Sequence, residues 1–247
     1  MTAHNLNTRP RQTSASADSL MTAHFELMSL TFAKWQFGDL RKYISLAHEF
    51  VVRQQREFLT RVDEYIAQHA PTDEDDGDVH ISLEDENDQL HSRFPRIVFS
   101  STLLMACALF ESSLVDLCKV LWRALPRSTP WSELRGSGIT KAATFLKKNY
   151  GIQLSNYSHW EQVNDYFKVR NCIVHADGDM ANMTDTAKEG ILQAVQRYGS
   201  MGLRETNGHI EIGQDFVSNV IKDLADLWPL LENACIENET IGPHYWP

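Results

Sequence analysis

Cysteine is scarce in this chain of 247 residues, and the four present, Cys107, Cys118, Cys172 and Cys235, lie far apart with no C-x-x-C pair. That spacing argues against both a zinc knuckle and a disulfide framework and predicts reduced, mostly buried thiols. Long apolar runs are also missing. The nearest, from Ile97 to Leu109, carries two serines and falls short of the roughly 20 residues a membrane-spanning helix needs, so no membrane contact is expected. Residues 1–19 are polar and include Arg9 and Arg11, without the apolar core or small-residue cleavage site of a secretory leader. They read as a disordered tail, and a cytoplasmic location is expected. Metal-ligand spacing is lacking as well: His80, His91, His159, His209 and His244 are scattered among polar residues with no H-E-x-x-H pattern, so neither a metal nor another cofactor is expected.

What is present is material for a core. Apolar residues make up 43% of the chain and include six Trp and eleven Phe, enough for most of it to fold as a globular protein. The net charge of −10 argues at first against a phosphate-binding surface. Nine of the 33 acidic residues, however, sit between Pro71 and Asp88, where no Lys or Arg occurs, and the remaining 24 nearly balance the 23 basic ones. Outside that segment nothing bars a local basic site.

Periodicity predicts an all-α chain with one small β-hairpin. From 20 to 70, Leu40, Ile44, Ala47, Val51, Phe58, Val62 and Tyr65 recur at mostly helical steps, and Gly38 is expected to divide this stretch into an N-terminal helical hairpin. Residues 71–90 read as a solvated acidic loop, because like charges repel. A helical domain over 91–240 follows. Its central helix runs from about Pro95 to Leu125, with Leu103, Cys107, Phe110, Leu114, Leu117 and Leu121 on one stripe. Glu111 lies at the edge of that stripe, so it either reaches solvent or needs a partner.

Further helices are expected near 140–150, closed by Gly151, from Ser158 with Glu161 as its capping-box partner, and over 184–198. Asn207-Gly208 marks a hairpin within 203–212. A last helix occupies 214–236, bent or ended near Pro229. Gly136-Ser137-Gly138 lacks the remainder of a phosphate-loop pattern.

The chemistry concentrates in Arg170-Asn171-Cys172-Ile173-Val174-His175. Cleaving RNA without a metal requires a proton taken from the 2′-hydroxyl, a proton returned to the departing 5′-oxygen and charge stabilised at phosphorus. Imidazole suits the proton transfers and guanidinium the charge. On a helix Asn171 and His175 share a face, while Arg170 lies about 140° from His175. Two copies meeting across a twofold axis can bring the divergent pair to one phosphate. The bland reading has Arg170 paired with a surface carboxylate and His175 capping the helix C-terminus. Lys147, Lys148 and Arg204 are candidate phosphate contacts.

The string from Phe167 to His175, followed by Ala176-Asp177-Gly178, resembles the R-x(4-6)-H signature of the HEPN superfamily, in which a polar residue follows the arginine, here Asn171. Ala108-Leu109-Phe110-Glu111 is similar to an apolar-Phe-Glu segment on an early helix of many members. The resemblance covers about 95–236 and leaves residues 1–90 unmatched. It implies a HEPN-like helical bundle, a homodimer and endoribonuclease activity on RNA, with Arg170 binding phosphate, His175 as acid or base, Asn171 positioning and Glu111 holding Arg170. It also implies a toxin or phage-defence role, with an antitoxin or regulatory protein as partner. The alternative it implies is a catalytically inactive, nucleotide-binding or protein-interaction module.

Overall fold

The computed structural model describes residues 17–68, 77–124 and 129–237. Its elements in chain order are α1 (Ala17–Gln68), α2 (Gly77–Asp88), α3 (Phe94–Ala124), α4 (Gly138–Tyr150), α5 (His159–Ala176), α6 (Asp185–Tyr198), β1 (Leu203–Thr206), β2 (His209–Ile212) and α7 (Gln214–Glu237). The protein is mostly helical, with one small two-stranded sheet.

α3 is the central strut. Leu103, Cys107, Phe110, Leu114, Leu117 and Leu121 are all buried, and the helix packs on α1, α4, α5 and α7. The segment Ser82–Arg123 is long and apolar enough, by length and composition, to cross a membrane, but this stripe is spent on the core. Phe110 meets Trp228 of α7 at 5.8 Å between ring centroids. All four cysteines are free and buried.

Three expectations are corrected. α1 is one unbroken helix of 52 residues rather than a hairpin. A helical glycine costs about 1 kcal/mol, but Phe37, Leu40 and Ile44, on either side of Gly38, join the common core and hold the helix straight through it. Second, the acidic loop is helical from Gly77 onward. Three of its carboxylates are paired from outside the segment: Arg61 of α1 pairs with Glu86, and Arg93 pairs with Asp88 at 2.7 Å and Asp85 at 3.2 Å. One turn of π-helix, Gln89–Arg93, links α2 to α3. That wider turn comes immediately ahead of Pro95, whose ring would clash with an α-helical carbonyl four residues back. The part of the loop over 71–76 lies outside the described residues, as do 1–16 of the tail; 17–19 begin α1. Third, Ser158 and Glu161 form no capping box; Glu161 pairs instead with Arg197 of α6 at 2.6 Å.

Elsewhere the boundaries agree closely. Gly151 closes α4 in the left-handed region at φ 71°; α7, by contrast, does not end at Pro229 but runs on through it to Glu237. Asn207 (φ 53°) and Gly208 (φ 84°) make a turn with both central residues at positive φ, the twist a two-residue hairpin favours.

α5 is clamped on its buried side. Tyr166 donates to Asp223 Oδ2 at 2.5 Å, and Asn219 of α7 donates to both. The buried Asp165 carboxylate takes Arg197 at 2.6 Å and Lys168 at 2.9 Å. Burial, then the Asp223 carboxylate, holds the Tyr166 hydroxyl protonated far above its usual value of 10.0. A phenol whose folded-state pKa is raised contributes stability that is intact below about pH 10 and is lost as pH rises above it. Tyr166→Phe is therefore expected to weaken the alkaline decline by about 1.4 kcal/mol per pH unit. Urea unfolding at a series of pH values from 9 to 11 measures this, and an unchanged slope would contradict it.

Candidate active site

The string from Phe167 to His175 lies wholly within α5, so about 100° per residue places Arg170, Val174, Asn171 and His175 at about 0°, 40°, 100° and 140° around one sector. Arg170 is half-buried and the other three are exposed. The divergence of Arg170 and His175 therefore spans a single solvent-facing sector with Val174 and Asn171 between them. Arg170 Nη1 donates to Asn171 Oδ1 at 2.9 Å, which leaves the Asn171 amide protons and the remaining guanidinium donors available. Among the described residues Arg170 has no carboxylate partner, so the first half of the bland reading is not realised; His175 makes no hydrogen bond or ion pair but does stand in the last turn of α5, where the second half puts it.

The end of α5 is fastened from two sides. Asp177 adopts the left-handed conformation (φ 50°), and its amide and that of Gly178 donate to the carbonyls of Ile173 and Cys172. Arg96, from the start of α3, donates to the Asp177 carbonyl at 2.8 Å and pairs with its carboxylate at 2.9 Å. β2 docks beyond: Ile210 donates to the Gly178 carbonyl at 2.9 Å and Met180 to that of Gly208 at 2.8 Å. Gly178 stands at φ +80°, the left-handed region that glycine adopts without strain, and a Cβ there would make only an ordinary 3.4 Å contact with the Ile210 oxygen. His175 is thereby carried on an anchored turn.

On the Arg170 side, α3, α4 and α5 border an open cavity of about 310 Å³, lined among others by Glu111, Thr140, Asn164, Phe167, Arg170 and Asn171. Glu111 is half-buried, yet no ion pair with Arg170 forms within 4.0 Å, so the clasp that the resemblance implies is not made directly. Its carboxylate instead rests against the first turn of α4, with Oε1 2.5 Å from where a Cβ on Gly138 would stand. Both charges reach Cys107: burial pushes that thiol up to about 12, Arg170 pulling it down and Glu111 pushing it further.

Lys147 and Lys148 are exposed in the last turn of α4, about nine residues and hence roughly 14 Å from its first turn, and Arg204 is exposed on β1 opposite Glu211. None of the three lines the cavity. Sequence reasoning missed Thr140 and Asn164. Asn164 carried a usable signal, standing seven residues before Asn171 on the same helical face.

A second surface adjoins the site. Among the described residues twelve large apolar side chains are exposed, and seven of them, Tyr43, Leu46 and Phe50 of α1, Phe94, Ile97 and Met105 of α3, and Val174 of α5, fall on neighbouring helices. A groove lined by Phe50, Phe94 and Ile97 joins α1 to α3, and a second hollow shared by Ile97 and Ile173 joins α3 to α5. Comparison of the chain with protein-family models, with curated proteins and with solved structures finds no match in any of the three.

Proposed function

We propose that the protein is a metal-independent endoribonuclease of the HEPN kind, working as a homodimer in a toxin or phage-defence role. The observation that carries this reading is that Arg170, Asn171 and His175 share one sector of α5 with no carboxylate engaging them among the described residues. A group poised for substrate keeps its donors uncommitted.

In the dimer, Arg170 of one protomer and His175 of the partner subunit flank the same phosphate. His175 takes the 2′-hydroxyl proton, the 2′-oxygen attacks phosphorus, and the 5′-oxygen leaves with a proton returned by the resulting imidazolium, giving a 2′,3′-cyclic phosphate and a 5′-hydroxyl. Arg170 and the Asn171 amide stabilise the charge that grows on the phosphoryl oxygens. The apolar face supports association with a second copy. Phe50, Phe94 and Ile97 line one groove across α1 and α3, an apolar start for the roughly 800 Å² per partner that a stable dimer buries. The twofold makes each contact reciprocal, so a dimer holds two equivalent Arg–His pairs.

The test is mixing. Arg170→Ala and His175→Ala protein are each inactive on RNA; unfolded and refolded together one to one, half the dimers are mixed and each retains one intact pair, so about a quarter of wild-type cleavage returns. A mixture no more active than its components overturns the shared site. The cavity beside Arg170 favours one second reading, a nucleotide-binding module without catalysis. That reading holds if pure wild-type protein binds nucleotide and leaves RNA uncut.

A further inference from the structure

We infer that the cavity between α3, α4 and α5 is a nucleobase subsite that selects guanine, with the Glu111 carboxylate as the reading group. The volume, about 310 Å³, sits at the lower end of ligand pockets and suits a single base with part of its sugar. Arg170 and Asn171 are among its lining residues, so a phosphate held by those two groups brings its own nucleoside to the cavity.

Glu111 decides what the cavity accepts. A carboxylate repels a second phosphate but accepts N–H donors, and this one has no hydrogen-bond or ion-pair partner among the described residues. Guanine presents two adjacent donors, N1–H and the 2-amino group, which a carboxylate accepts side by side. Adenine and cytosine present one amino group beside a ring nitrogen acceptor, and uracil presents one N–H between two carbonyls, so each leaves an acceptor facing the carboxylate. Phe167 supplies an apolar wall for the base. Asn164 donates one amide proton to the Trp160 carbonyl at 2.9 Å, and its oxygen is a second acceptor along the cavity. The glycine at 138 is what makes room: a side chain there would displace the carboxylate, because its Cβ would come within 2.5 Å of Oε1.

The subsite rests on the ribonuclease reading only for which bond it flanks, and two measurements separate the two ideas. First, full-length His175→Ala protein is titrated with the 5′-monophosphates of guanosine, adenosine, cytidine and uridine by calorimetry. The guanosine nucleotide is expected to bind at least tenfold more tightly than the others, and Glu111→Gln or Gly138→Ala in the same background to erase that margin. Thermal melting checks that each variant is folded. Second, the cut sites of wild-type protein on RNA of random sequence are expected to carry guanosine beside the break, a preference that Glu111→Gln relaxes. Equal binding of the four nucleotides, or a preference that survives Glu111→Gln in folded protein, overturns the subsite. Guanosine-selective binding without any RNA cleavage leaves the subsite standing and removes the nuclease.

Discussion

His175→Ala is expected to lower RNA cleavage by about a thousandfold while leaving the unfolding midpoint where it was. A positioned acid or base contributes about 10² to 10⁴ in rate, and the other imidazole of α5, His159, stands at the opposite end of the helix, about 24 Å along its axis from His175. The stability half follows from exposure: the ring touches no hydrogen-bond or ion-pair partner among the described residues, and such surface changes stay within about 0.5 kcal/mol. Arg170→Ala should cost about 10² to 10³ through lost charge stabilisation. Arg170→Lys should recover only part of that, since the Asn171 contact uses one arm of a rigid fork that an ammonium does not have. Single-turnover cleavage of a labelled RNA, with circular-dichroism melting of each variant, reads both halves. More than a tenth of wild-type rate in folded His175→Ala would remove this residue from the chemistry.

The second large effect is expected from Val174→Asp. Val174 is 44% exposed and lies between Arg170 and Asn171 around α5, so in the monomer the change is a surface substitution of little consequence. In a twofold dimer it appears on both sides of the interface, where it buries carboxylates in apolar surroundings and sets like charges near each other, each costing several kcal/mol. Weakening of the dimer by at least a thousandfold and loss of cleavage by at least a hundredfold are therefore expected together, with the monomer still folded. Sedimentation equilibrium and the same cleavage assay measure the two. A tight dimer carrying Asp at 174 would place the association surface elsewhere.

The parts of this fold that depend on near neighbours in sequence were open to reading from it. The α3 stripe from Leu103 to Leu121, the Asn207-Gly208 turn and the closure of α4 at Gly151 each follow from spacing or from one backbone requirement. What stayed hidden depends on partners far along the chain. Gly38 looks like a break until Phe37 and Leu40 are seen against the core, and the acidic run looks like a loop until Arg61, 25 residues before Glu86, is brought beside it. The candidate site divides the same way. Arg170, Asn171 and His175 belong to one helix and one string, whereas the cavity is made by three elements, and only the folded chain sets Glu111 against Gly138.

The double fastening of the last turn of α5 also orders events in time. Arg96 reaches Asp177 from 81 residues upstream, and the strand that holds Gly178 ends at Ile212. During synthesis, α5 leaves the ribosome well before that strand does, so the newborn polypeptide passes through a stage that bears the arginine and asparagine but has no steady seat for the imidazole. On the ribonuclease reading proposed above, such a delay would spare the message and the translation machinery producing it until the hairpin has emerged and docked.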